Sequence, residues 1–156
     1  VHGSGSDKYD NIRIGINGRL DTIQAALLIE KLNIFEDELI RRNKIAENYS
    51  KNLSDKFETP FLPKDYFSSW AQYTVIASSQ NQRDDILDYL KSKEVPSMIY
   101  YRIPLHLQKV FDYLKYEKGS FPVSERISNC VFSIPMHPYL ENQNQNKIIE
   151  TLNEFK

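Results

Sequence analysis

The chain has 156 residues, of which 40% are apolar and 12% aromatic, a composition typical of a folded domain. Its 20 Lys and Arg residues nearly balance 21 Asp and Glu residues, and no basic cluster indicates nucleic-acid binding. No apolar run approaches the roughly 20 residues of a membrane span, and a single cysteine, Cys130, allows neither an internal disulfide nor a Cys/His metal cluster. We therefore expect a cytoplasmic protein with no metal, nucleic-acid or membrane partner.

The first 19 residues form a polar arm, rich in Gly, Ser, Asp and Asn, with too few apolar residues to fold alone. The chain starts with Val and lacks a signal-peptide pattern, so we expect it to begin partway through a longer product. After Asp21, a candidate N-cap, residues 22–32 are apolar on most faces and predict a helix buried on more than one side. Residues 33–53 have apolar positions three or four apart, which predicts a long amphipathic helix.

The remainder of the chain alternates between short strands and helices. Residues 57–70, with prolines and aromatics, predict a loop, and a strand follows within 70–78. Asn81 is a candidate N-cap for the next helix, and residues 96–101 predict a second strand. The later predicted elements are helices at 107–114 and 123–129, a strand at 131–135, and a helix from Asn142 with Ile148, Ile149, Leu152 and Phe155 on its apolar face. Three short strands with helices between them predict a small α/β or α+β domain.

Residues 15–19 read Gly-Ile-Asn-Gly-Arg and stand directly before the first predicted helix. Gly15 and Gly18 allow close approach of a ligand, Asn17 carries an amide donor, and Arg19 supplies a planar fork suited to phosphate. These residues allow two interpretations, an anion-binding loop or a plain turn with Arg19 and Asp21 on the surface at a helix start, and composition alone favours the turn. No serine stands in a Gly-x-Ser-x-Gly elbow that would favour a hydrolase.

Five stretches extend almost from end to end: HGSGSDKYDNIRIGINGRLDTIQAALLIEKL, RRNKIAENY, RDDILDYLKSKEV, IYYRIPLHLQ and GSFPVSERISNCVFSIPMHPYL. In this order and spacing they resemble the C-terminal part of the DegT/DnrJ/StrS family of pyridoxal-phosphate-dependent sugar aminotransferases. Within the family, RIGINGRLDTIQAA is most similar to enzymes that aminate 3-keto uronic acid sugars linked to UDP. The alternative is a branch that aminates C4 of a keto-deoxy sugar.

The resemblance implies the C-terminal portion of a fold-type I transferase, with a short sheet, flanking helices and a long connecting helix. Residues 1–32 would close the large cofactor domain, 33–56 would form the connecting helix, and 57–156 the small C-terminal domain. The implied reaction moves an amino group from glutamate to a nucleotide-linked keto sugar, for surface polysaccharide or glycan biosynthesis, in a homodimer whose subunits share sites. The alternative function is a catalytically inert binding or assembly module derived from the same fold.

The resemblance also assigns roles near the N-terminus. Asn17 matches a family asparagine that reaches across the dimer to the phosphate of the partner's pyridoxal phosphate. Arg19 is similar to a family arginine near the nucleotide sugar, where a guanidinium holds oxygen pairs. The lysine that binds the cofactor is expected upstream of His2, so the chain alone is predicted to be inactive. The role of His2 itself stays open.

The same resemblance points to a second group of residues after the second predicted strand. Where many members have His-Tyr-Pro facing the sugar nucleotide, this chain has Tyr100, Tyr101 and Arg102. Tyr101 matches the family tyrosine and Tyr100 replaces the histidine, so we expect both to bind substrate through their hydroxyls. For Tyr100, packing as a strand aromatic is an alternative that fits the sequence equally well. His106, in Pro-Leu-His, is expected to fix the turn before the next helix.

Overall fold

The computed structural model describes Gly18 and residues 20–156. The elements in chain order are α1 (Thr22–Asn52), β1 (Tyr73–Ile76), α2 (Gln80–Ser92), α3 (Pro122–Cys130), β2 (Val131–Ile134) and α4 (Asn142–Glu154), with 3₁₀ helices at Leu105–Leu107 and Lys109–Leu114. Among these residues, none of the helices combines the length and apolar character that a bilayer crossing requires. The internal contacts divide the chain into two units between Asp37 and Glu38.

The first unit contains the start of α1. Asp21 lies directly before this helix: its carboxylate accepts the Ile23 N–H at 3.0 Å and its backbone oxygen accepts the Ala25 N–H at 2.8 Å. These two bonds confirm the predicted helix start. Seven apolar side chains of this part of α1 are between 44% and 72% exposed: Ile23, Leu27, Leu28, Ile29, Leu32, Ile34 and Phe35. The burial predicted for 22–32 is therefore not provided by the part of the chain that the structure describes.

α1 is one helix where the sequence pattern predicted two. The pattern of apolar residues changes near Asn33, but no Gly or Pro occurs between Thr22 and Asn52, so nothing in the sequence breaks the helix. In its second part, after Asp37, the buried apolar residues are Ile45, Ala46 and Tyr49. This part of α1 is amphipathic, as predicted.

The second unit has one hydrophobic core around a short sheet. Strands β1 and β2 pair antiparallel from Tyr73↔Ile134 to Ile76↔Val131. Their inward side chains pack with residues from α1, α2 and α4; the largest apolar members with less than 2% exposure are Tyr49, Tyr73, Phe132, Ile86, Leu90, Leu152 and Val75. A short sheet flanked by helices and preceded by a long helix confirms the predicted fold class.

The strand predicted at 96–101 is wrong. Only Met98 pairs with the sheet, through its N–H to the Ser133 oxygen at 3.1 Å and its oxygen to the Ser133 N–H at 2.7 Å. Pro96 has no N–H to donate, and the chain turns at Tyr100, so the pairing cannot extend. The sheet therefore has two strands among the described residues instead of three.

Two further predictions for this unit need correction. α2 begins after Ser79, whose hydroxyl accepts the Gln82 N–H at 3.2 Å, so Ser79 and not Asn81 is the N-cap. The helix predicted at 107–114 is instead a pair of short 3₁₀ helices that ends at Lys115, which has a left-handed φ of 55°. Serine is as good an N-cap as asparagine, so the sequence alone did not separate the two positions.

Candidate functional site

Tyr100 and Tyr101 lie at the edge of the sheet, just after the single pairing of Met98 with β2. Their side chains are 40% and 73% exposed, and the ring centroids are 5.9 Å apart at an interplanar angle of 74°. The peptide bond between them is cis. Both predicted substrate residues therefore lie together at a surface that solutes can reach.

These two tyrosines line a cavity of about 420 Å³. Its other lining residues come from the turn after the tyrosines and from the α3 region: Ile103, Pro104, Leu105, Gln108, Ser124, Ile127, Ser128 and Val131. A second cavity, of about 300 Å³, shares Tyr100 and runs past Met98, Ser133 and Met136. Tyr100 thus belongs to both cavities.

Among the residues that the structure describes, none that lines either cavity carries a charged side chain. Its polar groups are hydroxyls and amides, and aliphatic side chains form much of the remaining wall. Such a surface suits an uncharged ligand with hydroxyl groups or a flat apolar face, because each ligand polar group can find a neutral hydrogen-bond partner. It does not suit a pyrophosphate, which needs cationic side chains or a row of backbone N–H groups.

One wall of the larger cavity is a tight turn. The Leu107 N–H donates to the Pro104 oxygen at 3.0 Å, and the Gln108 N–H donates to the Leu105 oxygen at 3.1 Å. The Gln108 side-chain amide donates to the Ile103 oxygen at 3.3 Å. Because these bonds all lie within the turn, they fix its shape but not its distance from the opposite wall.

His106 and Glu125 connect this turn to α3, which forms the opposite wall. The His106 Nε2 lies 3.0 Å from the Glu125 Oε1, and the two side chains are only 8% and 13% exposed. The same carboxylate accepts the Gly119 N–H at 2.8 and 2.9 Å and the Phe121 N–H at 3.3 Å. The His106 ring also packs on Phe121, with centroids 4.8 Å apart. The prediction that His106 fixes the turn agrees with these contacts.

The surroundings of Glu125 favour its charged form. Burial alone raises the pKa of this carboxyl, but hydrogen bonds from Gly119, His106 and Phe121 outweigh burial, so the pKa lies below its ordinary value. Gly119 has a φ of 97°, a conformation open to glycine, and this lets its N–H point at the carboxylate. Glu125 is therefore an anion near the start of α3, where the helix dipole also favours negative charge.

The described residues include only part of the predicted site. Asn17 and Arg19 lie outside them. The structure adds Gln108, Ser124 and Ser128 as polar lining residues that sequence reasoning missed. A weak signal existed, because Ser124 and Ser128 are four residues apart and therefore share a helix face.

The lining of these cavities does not by itself fit pyridoxal phosphate. Within residues 18 and 20–156, it contains no lysine to bond the cofactor's aldehyde, no carboxylate to pair with a pyridine nitrogen and no cation for its phosphate. No cluster of three or more His, Cys, Asp or Glu side chains able to hold a metal ion occurs within the described part of the chain. The two cavities can thus supply a substrate surface, whereas cofactor groups would have to come from elsewhere.

The described part of the chain thus combines a long helix, a short two-stranded sheet flanked by helices, and a cavity at the Tyr100–Tyr101 segment. The chain belongs to the DegT/DnrJ/EryC1/StrS aminotransferase family, whose model matches residues 1–153. A putative sugar aminotransferase from Streptococcus pneumoniae, which is 21–23% identical and has a similar fold with TM-scores of 0.82 and 0.83, has been solved in PMP and PLP forms. The family resemblance expected from the sequence is confirmed.

Individual relatives agree with this assignment. The chain is 41% identical over 135 residues to UDP-2-acetamido-2-deoxy-3-oxo-D-glucuronate aminotransferase of Pseudomonas aeruginosa, a match covering 86% of this chain and 36% of that protein. A family aminotransferase structure from Brucella abortus matches with 46% identity and a TM-score of 0.83 over 97% of this chain and 40% of the other. S. venezuelae DesV, solved in complex with a ketimine intermediate, matches with 27% identity and a TM-score of 0.85 over 96% and 40%. The chain therefore spans about two fifths of the length of these relatives.

Proposed function

We propose that this chain is the C-terminal part of a pyridoxal-phosphate-dependent aminotransferase that moves an amino group from glutamate to a nucleotide-linked keto sugar. The observation that carries the proposal is the family match over residues 1–153 by a chain that spans about two fifths of its relatives. A UDP-linked 3-keto uronate is the substrate we favour, because the Pseudomonas aeruginosa relative is named for one. Polysaccharide or glycan biosynthesis in the cytoplasm is the setting we propose for it.

The neutral cavity supports the proposal that different residues bind the uncharged and the anionic parts of the substrate. Tyr100 and Tyr101 offer phenol hydroxyls and ring faces to the sugar or the base of the substrate, while the described lining residues offer no cation for its diphosphate. Arg19 is the residue we propose for that anionic part, and Asn17 for the cofactor phosphate of the partner subunit in a homodimer. Pyridoxal phosphate, when bound in the full-length protein, carries the amino group between the two half-reactions.

The exposed apolar side chains of α1 support the proposal that another segment of the protein covers this helix. Seven of them lie between Ile23 and Phe35, and an isolated module that exposes so many neighbouring apolar residues would be prone to association. We propose that an upstream segment of the same protein, carrying the cofactor lysine, covers this part of the helix. The aminotransferase proposal requires such a segment, because the cofactor lysine is expected upstream of His2.

The test is to combine the chain with the upstream segment encoded in the same reading frame. We expect the pair, mixed with pyridoxal phosphate, to develop the visible absorption band of lysine-bound cofactor, and glutamate to bleach that band. Neither half alone should do so. A chain that is monomeric, well folded and indifferent to the upstream segment would instead favour the inert module.

A further inference from the structure

We propose that His106 and Glu125 act together as positioning residues that set the distance between the two walls of the Tyr100–Tyr101 cavity, and so control binding of the keto-sugar substrate. This inference rests on the proposed function, because it concerns the same site. Neither residue lines the cavity itself. They act through the residues beside them.

His106 and Glu125 stand next to lining residues of opposite walls of the cavity. His106 lies between Leu105 and Gln108, which line the cavity from the turn, and Glu125 lies between Ser124 and Ile127, which line it from α3. The 3.0 Å contact between them joins segments that are 19 residues apart in sequence. It is therefore a direct link between the two walls and lies just outside the cavity.

The link between His106 and Glu125 is held in place at both ends. Glu125 is held at its own end by the N–H groups of Gly119 and Phe121, so its carboxylate cannot rotate freely toward solvent. His106 is 8% exposed in its side chain and packs on the Phe121 ring, which restricts the imidazole as well. A hydrogen bond to a charged carboxylate between two restricted side chains holds a fixed distance better than a bond between exposed ones.

The position of Tyr101 depends on the wall that follows it in sequence. Tyr101 is 73% exposed, and its ring contacts Tyr100, so few contacts fix it from the solvent side. The wall formed by Ile103 to Gln108 begins two residues after Tyr101 in sequence, and a shift of that wall therefore moves the chain next to the phenol. Small displacements of binding groups reduce affinity and rate strongly, because hydrogen-bond geometry is steep in distance and angle.

The experiment uses the full-length protein and compares the sugar half-reaction with the glutamate half-reaction. For His106→Ala we expect KM for the UDP-linked 3-keto uronate to rise roughly tenfold, because misplacing binding groups by about 1 Å can cost up to about 100-fold. The rate at which glutamate bleaches the cofactor band should stay within about twofold of the wild type, since an amino acid is too small to span a cavity of about 420 Å³.

His106→Gln is the rescue variant, because the glutamine amide can donate a hydrogen bond to Glu125 from a similar position. It should restore most of the sugar KM. His137→Ala is the matched control: His137 is an exposed histidine of the same unit, outside both cavities, and its loss should leave KM unchanged. In a Glu125→Ala background, adding His106→Ala should raise KM no further, since the link is already broken.

The outcomes separate this inference from the proposed function. If wild-type protein is not bleached by glutamate, the proposed function fails and the inference with it. If wild-type protein performs both half-reactions and His106→Ala, with an unchanged melting temperature, keeps its sugar KM, the positioning role is refuted alone. If His106→Ala lowers the melting temperature and changes both half-reactions equally, and His106→Gln does not rescue the sugar KM, the pair is merely structural and the inference is also refuted.

Discussion

Leucines in the first part of α1 should contribute to stability only when the rest of the protein is present. Leu27 is 68% exposed in this chain, so Leu27→Ala removes little buried surface and should change the unfolding free energy of the isolated chain by no more than about 0.5 kcal/mol. Complete burial of a leucine side chain contributes about 1.5–3 kcal/mol. Covering the 68% that is exposed here should therefore add roughly 1–2 kcal/mol in the full-length protein, before any cavity term.

Urea unfolding of both proteins, each with and without the substitution, measures this difference. Leu90→Ala is the matched control, because Leu90 is fully buried within α2 and should cost about 2–5 kcal/mol in either protein. Leu28, which is 50% exposed one position along the helix, should respond like Leu27 if α1 is covered on more than one side. Equal, small effects of Leu27→Ala in both proteins would refute the idea that an upstream segment covers this helix.

Three further predictions concern pH and the cofactor. Hydrogen bonds hold the pKa of the Glu125 carboxyl below its unfolded value of about 4.3. The stability that this carboxylate contributes is therefore present above a pH of about 4.3 and lost as pH falls through the folded pKa. Glu125→Gln should flatten the acid limb of a curve of stability against pH. Burial, and then the neighbouring Tyr73, raise the pKa of Tyr49, so the stability of the protein should fall as pH rises above the unfolded value of 10.0. This fall should be less steep in Tyr49→Phe. At neutral pH the variant should be about 1 kcal/mol less stable, because it loses the 3.0 Å hydrogen bond to the Pro135 oxygen. Replacing Asn17 by Ala in the full-length protein should weaken cofactor binding by about 1.5–3 kcal/mol. The cofactor retained after dialysis measures this change, with Asn11→Ala as the control variant. Equal retention by the two variants would count against the phosphate role of Asn17.

Helices with a clear apolar stripe were predictable from sequence. α4 begins at Asn142, as its pattern predicts, and buries Ile148, Ile149 and Leu152. α3 and β2 also lie where the sequence placed them, within one residue at each end. In these elements the local pattern and the tertiary contacts favour the same structure, so periodicity alone was sufficient.

Other elements depended on contacts that a sequence pattern does not contain. Residues 96–101 are rich in strand-forming side chains, yet only Met98 among them pairs with β2, because Pro96 has no N–H to donate and the chain turns at Tyr100. The continuity of α1 was missed for the opposite reason: the hydrophobic pattern changes near Asn33, but a helix needs no constant pattern when no residue breaks it.

The candidate site likewise has one part that the sequence predicted and another part that it did not. Tyr100 and Tyr101 were predicted from a family motif, and the structure places both at one cavity. The link between His106 and Glu125 was not predictable, because hydrogen bonds between residues far apart in sequence leave no periodic signal. The assignments of Asn17 and Arg19 stay predictions, since both lie outside the described residues.

A single-turnover experiment on the full-length protein tests the central claim most directly. The protein is first bleached with glutamate, freed of amino acid, and then mixed with the UDP-linked 3-keto uronate. We expect the visible cofactor band to return while one aminated sugar forms per site, and Tyr101→Phe to slow this return without slowing the bleaching. A protein that glutamate bleaches but that no nucleotide-linked keto sugar restores would not be a sugar aminotransferase, and the function proposed for this chain would be wrong.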